Sequence, residues 1–154
     1  MGHRPCRLAC LTAIPLLACV VAGPGCGPSQ TVERTGEAAR REVPSVLSSL
    51  LPPEFVLCHH RAAERPAPYD LWIVRAPSPF ELVVPETAAQ RRQMALPAAS
   101  LIGLLKVEAP WLDPGAPTSS QARFSRWHAD DADYQVREMT TASGWFASLE
   151  RIGH

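Results

Sequence analysis

Residues 58–60 read Cys58-His59-His60, a run of side chains able to ligate a metal or act as nucleophile and base. In an extended segment, alternation predicts Cys58 and His60 on one face and His59 on the other. Joined by His128 from far along the chain, Cys58 and His60 would make either a three-ligand metal site or a thiol served by a histidine base. That is the chemistry of a small hydrolytic or metal-dependent enzyme. The spacing gives it no frame: the sequence contains no CxxC, HExxH, GxSxG, P-loop or GxGxxG pattern. A nucleophile also needs its base within reach and a third group to orient that base, and nothing local supplies one. The preferred reading is a small thiol beside two ordinary histidines, with no catalytic residue, no metal and no cofactor expected.

Trp72, Trp111, Trp127 and Trp145 fall in or beside predicted strands and their loops. Aromatic rings of this kind mostly build cores, each burying about 150–250 Å². The alternative is a small-molecule binding module in which Trp111, in a loop, and Trp127 form a stacking platform. Asp130, Asp131 and Asp133 suggest a calcium loop, but an EF-hand count from Asp131 puts Val136 where glycine is needed and Ala142 where a bidentate glutamate is needed. A solvated turn is the better reading. Arg123, Arg126, Arg137 and Arg151 form either an anion-binding stripe or, paired with Glu138, Glu150 and the turn aspartates, a cross-strand charge lattice. The lattice is preferred.

The elements that must hold these residues follow from periodicity and punctuation. Apolar residues at helical spacing predict a short helix over residues 43–51, stopped by Pro52-Pro53. Extended runs are predicted over 55–60, 69–75 and 80–84, separated by prolines at 66, 68, 77 and 79. The middle run is apolar on both faces and reads as a central strand. A helix is predicted over 86–95, and a second from Pro97 to Glu108, with proline suited to the first turn and a buried strand as its competitor. Residues 111–121 read as a loop. Runs at 123–129, 134–141 and 145–152, joined by acidic residues and by Ala142-Ser143-Gly144, predict a C-terminal meander. The expected class is α+β: an antiparallel sheet ending in a three-stranded meander, with one to three helices packed on one face.

The N-terminus carries a different kind of information. Arg4 and Arg7 precede an apolar run from Leu8 to Ala22, followed by Gly23-Pro24-Gly25 and Cys26. Basic start, apolar middle and small-residue end are the three zones of a secretory signal. At 15 residues and interrupted by Pro15, the run is short of the roughly 20 apolar residues a spanning helix requires. These residues resemble bacterial lipoprotein precursors, in which a cysteine after a small residue becomes thioether-linked to diacylglycerol and then forms the mature N-terminus. The resemblance covers about the first 30 residues and places the lipid on Cys26, with Cys19 as the alternative. Leu16-Leu17-Ala18-Cys19 matches the box more closely, whereas cleavage before Cys26 removes the whole apolar run. An ordinary cleaved signal, leaving a secreted protein, is the competing expectation.

The expected organisation is a signal peptide over 1–25, a lipidated tether over 26–42 and one α+β domain over 43–154. A leader of that length takes Arg4 and Arg7 with it, so the remainder carries 13 basic against 15 acidic residues, which argues against a nucleic-acid partner. Cys58 is then the one cysteine in the body of the chain, so the domain must be stable by packing. The function expected is that of an exported, lipid-anchored, non-enzymatic binding or envelope-accessory domain on the extracytoplasmic face. Its partners are the membrane, through the covalent lipid, and an envelope protein.

Overall fold

The computed structural model describes residues 29–64, 68–84 and 89–153. Cys19, Cys26 and the rest of the expected signal lie outside them. Among the described residues the strands are β1 (Ser29–Thr35), β2 (Val56–Ala63), β3 (Tyr69–Ala76), β4 (Ala89–Pro97), β5 (Gln121–Ala129), β6 (Ala132–Thr141) and β7 (Gly144–Gly153). They form one antiparallel sheet in the order β1-β2-β3-β7-β6-β5-β4. β5, β6 and β7 are the meander expected from the sequence, and β3 lies inside the sheet. The helices are α1 (Gly36–Glu42), α2 (Ser45–Ser48) and α3 (Ala98–Glu108). The fold is therefore richer in sheet than the α+β expectation implied. None of these helices is long and apolar enough to cross a membrane.

Helices cover both faces of the sheet, not one. On β3, Trp72 and Val74 join Leu57, Val136, Trp145 and Leu149 in a core that α1 and α2 close with Ala39, Val43 and Leu47. Ile73, between them in sequence, points the other way. It packs with Met139, Phe146, Leu101 and Leu105 under α3. A β3 apolar on both sides demands two covering layers, which is why the helices divide. Trp72 also donates its indole N–H to the Glu42 carbonyl at 3.0 Å, fixing the end of α1.

Residues 29–42, expected as part of the tether, belong to the fold. β1 pairs along β2 from Ser29↔Arg61 to Thr35↔Val56, and Ala39 in α1 is fully buried. A polar strand at a sheet edge shows little apolar periodicity, and backbone pairing holds it in place. Val43 takes an extended conformation (φ −96°, ψ 132°) because Pro44 follows, which ends α1; of the helix expected over 43–51 only the short α2 (Ser45–Ser48) forms.

Two further segments differ from expectation. The helix expected over 86–95 is replaced by β4, paired with β5 from Ala89↔His128 to Pro97↔Gln121. Ala, Gln, Arg and Met favour helix, but an available sheet edge overrides propensity. Pro97 ends β4 and precedes α3, which runs over Ala98–Glu108, one residue later than the start expected at Pro97. Residues 80–84 keep strand alternation without a backbone ladder: Leu82 and Val84 are buried while Glu81 and Val83 are exposed. Side chains supply the missing partners for Leu82.

Two turns set the meander's register. Asp130 and Asp131 both have positive φ (49° and 59°), the two-residue geometry that matches strand twist. Gly144 has φ +132°, and a Cβ there would lie 2.2 Å from the Ala76 carbonyl oxygen.

Candidate functional site

β2 carries a bulge that alters the expected Cys58-His59-His60 arrangement. Leu57 pairs with Val74 and His59 with Ile73, so one residue of β2 is extra. Cys58 and His59 therefore both face the α3 side, and His60 faces the α1–α2 side. Alternation had predicted Cys58 and His60 together, and a bulge leaves no mark on residue types.

The three residues considered for an enzyme do not meet. His60 stacks on Trp72 (5.2 Å between centroids, 6° between planes), and its Nε2 lies 3.1 Å from Asp70 Oδ1. His128, on β5, pairs with Asp133 Oδ1 at 3.2 Å. β3, β7 and β6 separate β2 from β5, which at about 4.8 Å per strand amounts to about 19 Å. Cys58 is buried, with its Sγ 3.7 Å from the Val56 carbonyl oxygen. Burial raises its pKa above the ordinary value, and Arg75 offsets this in part. The protonated thiol is a poor nucleophile. Beside it is a small cavity of about 170 Å³ edged by Arg75, Glu33, Trp111 and Leu112. Among the described residues no group of three or more His, Cys, Asp or Glu side chains is placed to hold a metal ion.

The two platform tryptophans are also apart. Trp111 is 49% exposed and meets the His59 ring edge-on at 5.5 Å. Trp127 is 1% exposed and stacks on Tyr134 within the core of the opposite face.

A charge lattice forms, with Asp70 and Glu81 as partners beyond those expected from the sequence. Arg126 pairs with Asp133, Arg137 with Glu150, Arg151 with Asp70, and Arg123 with Glu81 and Glu138. The lattice is not wholly solvated, since Asp70, Glu138 and Glu150 are buried. Glu138 is 4% exposed, on the same side of β6 as Tyr134 and Val136. Its Oε2 accepts hydrogen bonds from the Leu82 backbone N–H (3.0 Å) and the Trp145 indole N–H (2.8 Å). Its Oε1 lies 3.6 Å from Arg123 Nε, longer than a hydrogen bond. Arg123 Nη2 reaches the Leu82 carbonyl at 3.4 Å. Carboxylate and guanidinium thus take the places of a neighbouring strand for Leu82, clamping residues 80–84 to the sheet. Burial pushes the Glu138 pKa up, against the lowering pull of the Leu82 and Trp145 hydrogen bonds and of Arg123.

This clamp opens on a cleft of about 300 Å³, larger than the cavity beside Cys58. Phe80 and Trp145 supply its aromatic wall, meeting edge to face at 5.3 Å and 81°. Arg123, Glu138 and Glu81 line its polar side, with Thr118, Ser119 and Gln121 at the rim. Small-ligand sites are concave and combine apolar walls with convergent polar groups; this cleft has a more polar lining than most, holds a perturbed carboxyl, and is at the small end of the usual range of about 300–1,000 Å³. Comparison with known proteins finds no matching family model and no curated protein or solved structure with significant similarity to the chain.

Proposed function

We propose that this protein is an exported bacterial lipoprotein, anchored by acyl chains on Cys26, whose folded domain binds a ligand or envelope partner and does not transform it. The observation that carries the reading is the order of features along the chain: a basic start, a 15-residue apolar run, a small-residue box ending at Cys26, and an ordered strand from Ser29. Several acyl chains hold a protein firmly where one holds it only marginally. Three residue steps from Cys26 to Ser29 span at most about 11 Å, so the sheet is held close to the bilayer.

Register supports a presenting role for the cleft. Ser29 shares a row with Arg61, Leu71 and Glu150, read strand to strand. Trp145 is five residues from Glu150 along β7, about 17 Å at the usual rise per strand residue. The cleft is thereby displaced along the strands from the anchored end.

Labelled fatty acid tests the anchor. Wild-type protein and Cys19→Ala should incorporate label and sediment with membranes, while Cys26→Ala should lose the label and be released. Label lost in Cys19→Ala and kept in Cys26→Ala would move the anchor to Cys19. Label retained in both variants, or absent from the wild type, would overturn the reading.

A further inference from the structure

The charges around the larger cleft do not balance. Glu138 and Glu81 contribute two carboxylates and Arg123 one guanidinium, so the lining carries one net negative charge when all three are ionised. Arg123 is already engaged by the Leu82 carbonyl, by Glu81 and by the nearby Glu138, which leaves it little to offer an anion. Glu138 Oε1, by contrast, retains acceptor capacity, because both hydrogen bonds to this carboxylate fall on Oε2. A buried carboxylate with a vacant lone pair gains most from a cationic donor, since charge-assisted hydrogen bonds are about twice as strong as neutral ones. The rim has a different chemistry. The Thr118 hydroxyl donates to the Thr140 carbonyl at 3.0 Å and keeps lone pairs for a ligand donor. Ser119 Oγ accepts from the Gln121 backbone N–H at 3.2 Å and keeps its own O–H. Phe80 gives an apolar wall for a ring.

We propose that the cleft binds a small hydroxylated primary ammonium compound of the amino-sugar class, with the ammonium at Glu138 Oε1 and Glu81, hydroxyls at Thr118, Ser119 and Gln121, and the apolar ring face against Phe80. A phosphate or carboxylate ligand would meet two carboxylates and an occupied arginine. An uncharged sugar would leave the net negative charge of the lining, two carboxylates against one guanidinium, unbalanced. The site does not depend on which cysteine carries lipid, so its failure and the failure of the anchor are separate results.

The test is titration calorimetry of the full chain, purified in detergent, with glucosamine, N-acetylglucosamine and glucose. Trp145 fluorescence gives a second signal, because its indole N–H is bonded to the carboxylate that receives the ligand. Glucosamine should bind saturably, at least tenfold more tightly than either uncharged sugar. Glu138→Gln should lower glucosamine affinity at least tenfold. Glu81→Gln, at an exposed position that leaves the buried clamp intact, should lower it several-fold. Equal binding of all three sugars, or no saturable glucosamine binding by folded protein, would overturn the proposal. If Glu138→Gln fails to fold, an unchanged affinity in Glu81→Gln would overturn it as well.

Discussion

Replacing Glu138 with alanine tests the clamp on residues 80–84. The substitution removes the acceptor for two buried donors, the Leu82 backbone N–H and the Trp145 indole N–H. A buried donor left unsatisfied costs about 1–3 kcal/mol, so the pair costs about 2–6. Relief from burying a carboxylate offsets part of this, which puts the net loss at about 2–4 kcal/mol. Glu138→Gln keeps a carbonyl oxygen for both donors and should cost about 1 kcal/mol or less. In urea unfolding followed by far-ultraviolet circular dichroism, with a slope of about 2 kcal/mol/M, the alanine variant should lose about 1–2 M in midpoint and the glutamine variant well under 1 M. The pH dependence has a definite sign. Burial raises this carboxyl above its ordinary value of 4.5, so the folded state holds the proton more tightly than the unfolded chain. Its contribution to stability is therefore most favourable below 4.5 and declines as pH rises through the window above it. The wild type should lose ground to Glu138→Gln as pH rises through that window. An alanine variant within about 0.5 kcal/mol of wild type, or a glutamine variant as damaged as alanine, would refute the clamp.

Other sites give independent checks. Leu105→Ala, at a fully buried position of α3, should cost about 2–5 kcal/mol in chemical unfolding. A smaller loss would mean that α3 does not close the second face. Gly144→Ala should lower the thermal midpoint by an amount equivalent to at least about 2 kcal/mol, because its φ of +132° is strained for alanine and the new Cβ meets the Ala76 carbonyl. A neutral result would contradict that turn. Cys58 should resist iodoacetamide in native protein and react after denaturation, as followed by peptide mass spectrometry. Rapid native alkylation would mean an accessible, ionised thiol, contrary to its burial and raised pKa.

Much of the sheet was legible because its signals are local. The meander shows in its turn residues, the central strand in an apolar run with no polar face, and α3 in a proline followed by helical spacing. What was hidden depended on partners distant in sequence. β4 is written in helix-favouring residues and becomes a strand because β5 offers it an edge. β1 is polar and is held by backbone pairing, which residue types do not record. The bulge at Cys58 reverses an alternation argument with one extra residue. The clamp was partly visible: Ala132, Tyr134 and Val136 share one parity along β6, and Glu138 continues it, a carboxylate at a core position. Grouping it with the surface arginines by charge missed that signal. Its partner Leu82 lies 56 residues away, and only the fold brings them together.

The most direct test of the account is the mass of the N-terminal peptide of the protein recovered from bacterial membranes. Residues 1–25 should be gone, and the first residue should be Cys26 carrying the added mass of its acyl groups. An intact peptide beginning at Met1 and bearing no lipid would contradict the account.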